Sequence, residues 1–260
     1  MYNRTDVVYI YDGSFDGFLC CVFNYYYSAL NPVDIMSEAD FEPTLYQAVT
    51  IETDSEQAKR VSEAIVRKLS LFCYEFLQYS MLTCLYKKEM YMLRYVIKGF
   101  KAGAKIHNMV SDEDVNVLTG ADRHMRRESH MYLGLARFYQ AQDVYVASIK
   151  PQNQILSLIS AHFVQRFANQ SFMIYDETHG QALIYANGKE KIIYTQDIEL
   201  PTPSENEQEA QRMWKLFYDT ISIKERYNPL CRMRFMPKRT WDKLPEMQNL
   251  CENSKIQLTK

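Results

Sequence analysis

Apolar positions follow a strand-like spacing near the start of the chain, a helical spacing through its middle, and a strand-like spacing again beyond residue 142. Val7–Tyr11 is a short β-branched and aromatic run that stops at Asp12-Gly13, which reads as a strand entering a turn. Ser14 then precedes F-D-G-F-L-C-C-V-F-N-Y-Y-Y, long enough for a buried helix, and Gln47–Ile51 reads as a second strand. Residues 54–110 are helical in period: Leu69, Phe72, Phe76 and Tyr79 recur at three and four, as do Tyr86, Met90, Leu93, Ile97 and Phe100. Helix is expected to continue in two pieces over Asp112–Gln142.

Val144–Ile149 is strand-like and stops at Lys150-Pro151, and Asn153–Ala168 returns to helix. Phe172–Asp176, Ala182–Ala186 and Ile192–Thr195 are short strands, with Asn187-Gly188 a strong hairpin signal. In the linker L-P-T-P-S-E-N-E-Q-E, Ser204 with Glu207 three positions on predicts a helix start. The expected class is α+β: a mixed, mostly antiparallel sheet assembled from both ends of the chain, with a large helical insertion. One domain over 1–260 can then have two lobes, a helical one at 54–142 and a mixed one from 1–53 plus 143–260.

Composition narrows the classes. At 260 residues, with 47% hydrophobic and 24% charged positions, the chain is long enough for a full core and ordinary for a soluble protein. No apolar run approaches the ~20 residues that span a bilayer, so no membrane partner is expected. M-Y-N-R-T-D lacks the apolar core of a signal peptide, so the cytoplasm is the expected location. Cys20, Cys21, Cys73, Cys84, Cys231 and Cys251 show no C-x-x-C and no paired spacing, and the chain is expected to hold no metal and no cofactor of its own. The 20 tyrosines can serve stacking on bases or simply core and rim packing.

Charge is distributed unevenly. The net charge is −2, yet Lys224–Arg239 holds six Lys/Arg (Lys224, Arg226, Arg232, Arg234, Lys238, Arg239) against Glu225 alone. A cationic strip on an acidic body suits a polyanionic or acidic partner. Its arginines alternate with Tyr227, Phe235 and Trp241, a mix suited to phosphate contact plus base stacking; the plainer alternative is a solvated charged turn. A second basic feature lies upstream. Projected at about 100° per residue, Arg123, Arg126, Arg127, His130, Gly134 and Arg137 fall within roughly a 100° arc. Such a row can track phosphates, or can pair with acidic neighbours such as Asp122 and Glu128.

Four segments together resemble one family: Y-D-G-S-F-D-G-F-L at Tyr11–Leu19, R-E-S-H-M-Y-L-G-L-A-R-F at Arg127–Phe138, A-H-F-V-Q-R-F-A-N-Q-S-F-M-I-Y-D at Ala161–Asp176, and E-R-Y-N-P-L-C-R-M-R-F-M-P-K-R-T-W-D-K-L-P-E at Glu225–Glu246. This is the bacterial group labelled "probable DNA metabolism protein". The label comes from gene context, beside a radical-SAM protein of DNA modification or repair; a similar domain occurs fused to uracil-DNA-glycosylase-like proteins. The resemblance implies DNA and a radical-SAM protein as partners. It points to Asp12, Gly13, Phe15, Gly17 and Leu19; to Glu128, His130, Gly134, Arg137 and Phe138; to Phe163, Arg166, Phe167 and Asp176; and to Glu225, Arg226, Asn228, Met236, Pro237 and Trp241. Many relatives carry a basic residue where this chain has Glu177-Thr178-His179.

Motifs of defined chemistry are absent. There is no H-x-E with P-C-x-x-C, no H-E-x-x-H, no G-x-S-x-G and no P-loop. The string Y-D-G-S-F resembles the opening of tRNA pseudouridine synthases, but their R-T-D-x-G-V-H loop is missing. Radical-SAM chemistry needs C-x-x-x-C-x-x-C, also missing, and so belongs to the partner. At the strand–turn–helix entry, Asp12 is expected to cap the helix rather than bind an anion.

Three functions are compatible with this pattern. The leading one is a DNA-binding or substrate-presenting accessory protein, with Arg123, Arg126, Arg127, Arg137, Arg226, Arg232, Arg234, Lys238 and Arg239 on phosphates and Trp241 or Tyr227 stacking a base. The second is an enzyme on damaged bases or nucleotides, with Glu128, His130 and Asp176 as candidate catalytic groups beside Arg137 and Arg226. The third is a protein–protein scaffold whose cationic tail docks an acidic surface.

Overall fold

A computed structural model describes residues 4–195 and 198–247. The chain divides into two compact units, Met1–Met125 and Arg126–Lys260, and is α+β, with a separate sheet in each unit.

In the first unit, β1 (Thr5–Tyr11) lies between β2 (Leu30–Ser37) and β3 (Gln47–Thr50), parallel to both. Parallel neighbours cannot be joined by a hairpin, and α1 (Phe15–Tyr27) provides the crossover from β1 to β2. A central parallel strand is covered on both faces, which is why V-V-Y-I-Y reads as a near-continuous apolar run: Val7, Val8, Tyr9 and Tyr11 are buried. The entry to α1 is tightly braced. Gly13 takes φ +81°, and Ser14 rather than Asp12 caps the helix, its Oγ accepting from the Gly17 N–H at 2.9 Å. Asp12 ties the turn down instead, Oδ1 accepting from Ser14 N–H (2.9 Å) and Oγ–H (2.7 Å), and Oδ2 from Thr53 Oγ–H (2.8 Å).

The helices α2 (Ser55–Lys68), α3 (Leu71–Met81) and α4 (Lys88–Ala102) fill the expected helical stretch. The spacing from Leu69 to Tyr79 does not lie on one helix, because Ser70 caps α3 by accepting from Cys73 N–H at 3.1 Å; Leu69 and Phe76 are buried while Phe72 and Tyr79 reach solvent. Tyr86 precedes α4 and is exposed, and the buried face of α4 runs through Met92, Leu93, Tyr95, Val96 and Gly99. α5 (Glu113–Leu135) begins in the first unit and ends in the second.

The second unit is built on β4 (Phe138–Ala141), β5 (Val144–Ile149), β6 (Ser171–Asp176), β7 (Gln181–Ala186) and β8 (Lys189–Tyr194), in that order across the sheet. β5 and β6 are parallel and joined through α6 (Leu156–Arg166); the other three pairings are antiparallel. Leu156, Ile159 and Phe163 of α6 are buried. The β7–β8 turn has Asn187 at φ 52° and Gly188 at φ 74°, as the Asn-Gly signal requires. α7 (Glu205–Ile221) starts where predicted, Ser204 Oγ accepting from Glu207 N–H at 3.2 Å, and α8 (Pro229–Phe235) follows.

Two further expectations are corrected. The single sheet fed from both ends is instead two sheets, since β1 has both edges occupied by β2 and β3 and none left for later strands. Helix does not continue to Gln142: α5 ends at Leu135, Arg137 Nη1 donates to the Gly134 carbonyl at 2.7 Å, and Phe138–Ala141 turns back through Gln142 (φ 54°) to pair with β5. Among the described residues no helix is long and apolar enough to cross a membrane.

Candidate nucleic-acid interface

The segment after α8 is held to the second unit by four ion pairs of alternating sense. Arg239 pairs with Glu128 of α5, Asp242 with Lys150 after β5, Lys243 with Glu177 after β6, and Glu246 with Arg137 after α5 (2.8 Å). Two carboxylates of the body thus meet two tail cations, and two body cations meet two tail carboxylates. Leu244 and Met247 are buried and anchor the clasp through apolar contact.

The pairs differ in depth. Glu128 is buried and also accepts from the Gln152 N–H (2.9 Å), the Asn153 N–H (2.8 Å) and Asn153 Nδ2 (2.6 Å), so it organises the loop after β5 as well as the tail. Glu246 is equally deep and accepts from Trp214 Nε1 at 3.2 Å besides Arg137. Burial pushes the Glu246 carboxyl up, but the hydrogen bonds from Arg137 and Trp214 outweigh it and hold the group below the usual range. Glu177 is shifted down in the same way, burial being outweighed by Lys243 and by the Ser148 hydroxyl. The Lys150–Asp242 pair is the most exposed and contributes least.

Several expected phosphate contacts are therefore committed within the protein. Arg137 and Arg239 are spent on Glu246 and Glu128, and Trp241 is half-buried with Nε1 donating to the Met236 carbonyl at 2.8 Å. Arg123 in the first unit is exposed, its Nε donating to the Thr119 carbonyl at 3.3 Å. Arg126, Arg127 and His130 are exposed on the part of α5 that lies in the second unit.

Of the candidate catalytic groups, Glu128 and Asp176 are similarly occupied, while His130 is exposed. Asp176 is buried and orders the β6–β7 turn, Oδ1 accepting from the Thr178 and His179 N–H groups (2.9 and 3.2 Å) and Oδ2 lying 2.6 Å from His179 Nδ1. Among the described residues no hydrogen bond or ion pair joins any two of Glu128, His130, Asp176, Arg137 and Arg226.

What the clasp leaves open is the stretch before it. Arg226, Arg234 and Lys238 are exposed and form no ion pair among the described residues. Arg232 lies over the Tyr227 ring, 4.5 Å from its centroid, with Nη1 3.6 Å from Met247 Sδ. Arg226, Tyr227, Asn228 and Arg232 line a groove of about 880 Å³ together with Tyr218 and Ile223 of the α7 side. Guanidinium groups beside tyrosine rings can bind phosphate and stack a base at once.

Sequence reading missed the counter-charges. Lys150, Glu177, Asp242, Lys243 and Glu246 are ordinary surface-type residues in sequence, and only the alternation of sign over Arg239–Glu246 signals that this part of the tail balances itself. Residues 86–246 match the family model described as a domain of unknown function, DUF4130, and the chain belongs to that family. No curated protein and no solved structure matches the chain.

Proposed function

We propose that this member of the DUF4130 family is a nucleic-acid-binding accessory protein of DNA modification or repair, which presents DNA to a radical-SAM partner. The observation that carries the reading is the groove beside the tail. After the clasp has neutralised Arg239, Arg226 and Arg232 still line a concave, tyrosine-bearing surface, and Arg234 and Lys238 remain exposed on the stretch of chain that follows. The choice of DNA and of the partner rests on the resemblance to the DNA metabolism group.

An accessory role also needs a surface for that other chain. α7 leaves Met213, Leu216, Phe217 and Ile221 exposed, more apolar area than a helix facing only water carries. Its solvent-facing apolar side chains favour assembly over a solitary role.

Fluorescence anisotropy of labelled single- and double-stranded DNA across a salt series tests the proposal. Four cations on phosphates give a slope of log K against log salt near ~−3.6 for duplex and ~−2.8 for single strands. Arg226→Glu with Arg234→Glu is expected to abolish binding in a folded protein. Unchanged affinity in that double variant removes the groove from the site, and absence of binding at low salt favours a scaffold that recognises protein alone.

A further inference from the structure

A second concavity of about 720 Å³ lies elsewhere in the same unit, between the end of α5, the sheet, the end of α6 and α7. Its volume falls in the roughly 300–1,000 Å³ range of sites that enclose a small ligand. Four aromatic residues line it, Phe138, Tyr139, Phe167 and Trp214, and the last two are held from other directions. Phe167 packs against Phe138 (ring centroids 4.6 Å apart) and Phe172 (5.5 Å). Trp214 has its N–H fixed by Glu246 and its ring 5.9 Å from that of Phe217. Rings locked by their neighbours offer a stacking surface at little cost in side-chain entropy.

The cations around the cleft are not equivalent. Arg137 is spent on Glu246 and Lys243 on Glu177. Arg166, at the end of α6, is exposed, lies 5.9 Å from the Phe167 ring centroid and has no acidic partner among the described residues. An unpaired guanidinium at the rim of an aromatic-lined cleft suits a phosphate attached to a flat ring system. Gly134 completes the picture: a Cβ built there meets nothing within 4 Å, so the helix leaves this side of the cleft open.

We propose that this cleft binds a single nucleotide, the base stacking on Phe167 and Trp214 and the phosphate pairing with Arg166. This deepens the nucleic-acid reading and rests on it for the source of the ligand: an unstacked nucleotide of a strand held in the tail groove. A free nucleotide offers the same chemistry, and the two sources are separable.

The test uses the full chain, with 2′-deoxyadenosine 5′-monophosphate, inorganic phosphate and a labelled single-stranded oligodeoxyadenylate as probes. Gly134→Leu fills the cleft at a helical position where leucine is better tolerated than glycine, and Arg166→Glu reverses the rim charge; melting curves confirm that both variants fold. Each is expected to weaken monophosphate binding at least tenfold, whereas Arg226→Glu/Arg234→Glu abolishes strand binding and leaves monophosphate binding unchanged. Inorganic phosphate is expected to compete far more weakly than the nucleotide. Equal competition by phosphate, or wild-type affinity in both cleft variants, overturns the proposal while strand binding by the wild type preserves the wider reading. Nucleotide binding lost in the cleft variants, with no strand binding by the wild type, upholds the cleft as a free-nucleotide site and refutes the wider reading.

Discussion

Arg239→Met isolates one of the two deep joints of the clasp. Breaking a buried ion pair from one side costs about 3–5 kcal/mol because the surviving charge stays desolvated. Here the Glu128 side chain is 2% exposed but that of Arg239 is 34% exposed, so water softens the loss. Three N–H groups from Gln152 and Asn153 continue to hold the carboxylate. The expected cost is therefore about 2–3 kcal/mol, below the fully buried range. The two tryptophans of the chain, Trp214 and Trp241, both lie in the second unit, so tryptophan fluorescence in urea reports on that unit selectively. With a denaturant slope near ~2 kcal/mol/M, the midpoint is expected to fall by about 1–1.5 M. Adding Glu128→Gln removes the stranded charge and is expected to restore at least ~1 kcal/mol, measured as the coupling in a double-mutant cycle. A midpoint for Arg239→Met within about 0.25 M of wild type, equivalent to ~0.5 kcal/mol, would falsify the claim that Glu128 holds the tail.

Four further outcomes follow from local geometry, titration and exposure. Gly17→Ala places a Cβ 2.2 Å from Asp12 Oδ1 and 2.9 Å from Thr53 Oγ1, so it must break the brace at α1 and is expected to cost about 1–3 kcal/mol, read as lost amide-exchange protection over Val7–Tyr11. Gly134→Ala, with open space around it, is expected to be neutral or to stabilise by up to ~1 kcal/mol. Glu246 and Glu177 have folded-state pKa values below the ordinary 4.5, so their stabilisation is complete above that value and is lost as pH falls through the lowered values. Tryptophan-detected stability should thus be flat from pH 6 to 8 and drop below about pH 4, and a profile unchanged at pH 3 contradicts it. Finally, Cys84 and Cys231 are exposed whereas Cys20, Cys21 and Cys73 are buried, burial pushing the Cys20 and Cys21 thiols up. In a Cys251→Ser background (residue 251 lies outside the described residues), a thiol reagent should modify two sites in the native protein and the other three only on unfolding.

The parts of the fold legible in sequence were those where local chemistry and tertiary need agree. Val144–Ile149, Phe172–Asp176 and Ala182–Ala186 carry strand patterning bounded by turn residues, and Asn187-Gly188 and Ser204 act through contacts within a few positions. β2 escaped notice because L-N-P-V-D-I-M-S hides its alternation. Pro32 is tolerated there since β2 is an edge strand, and buried Asp34 is neutralised by Lys87 at 2.7 Å. In sequence β4 reads as part of the preceding helix because Phe138 continues its apolar spacing, and only the pairing with Val144–Ala147 decides otherwise. In the site, charge was visible but its partner was not. Arg239 counted as a phosphate ligand until its carboxylate appeared 111 positions upstream, a separation over which no sequence pattern carries information.

The clasp also sets the order in which the second unit can be completed during synthesis. Glu128, Arg137, Lys150 and Glu177 leave the ribosome well before residues 239–246, which carry their counter-charges. At roughly 5–20 residues per second the intervening sequence takes several seconds to emerge. For that interval Lys150 and Glu177 have each other at 3.4 Å, but Glu128 and Arg137 lack their ion-pair partners, and the final collapse around them waits for the tail. A chain interrupted before Arg239 would leave Glu128 and Arg137 without those counter-charges. Quality-control proteases thus have a physical basis for telling an interrupted copy from one that has closed.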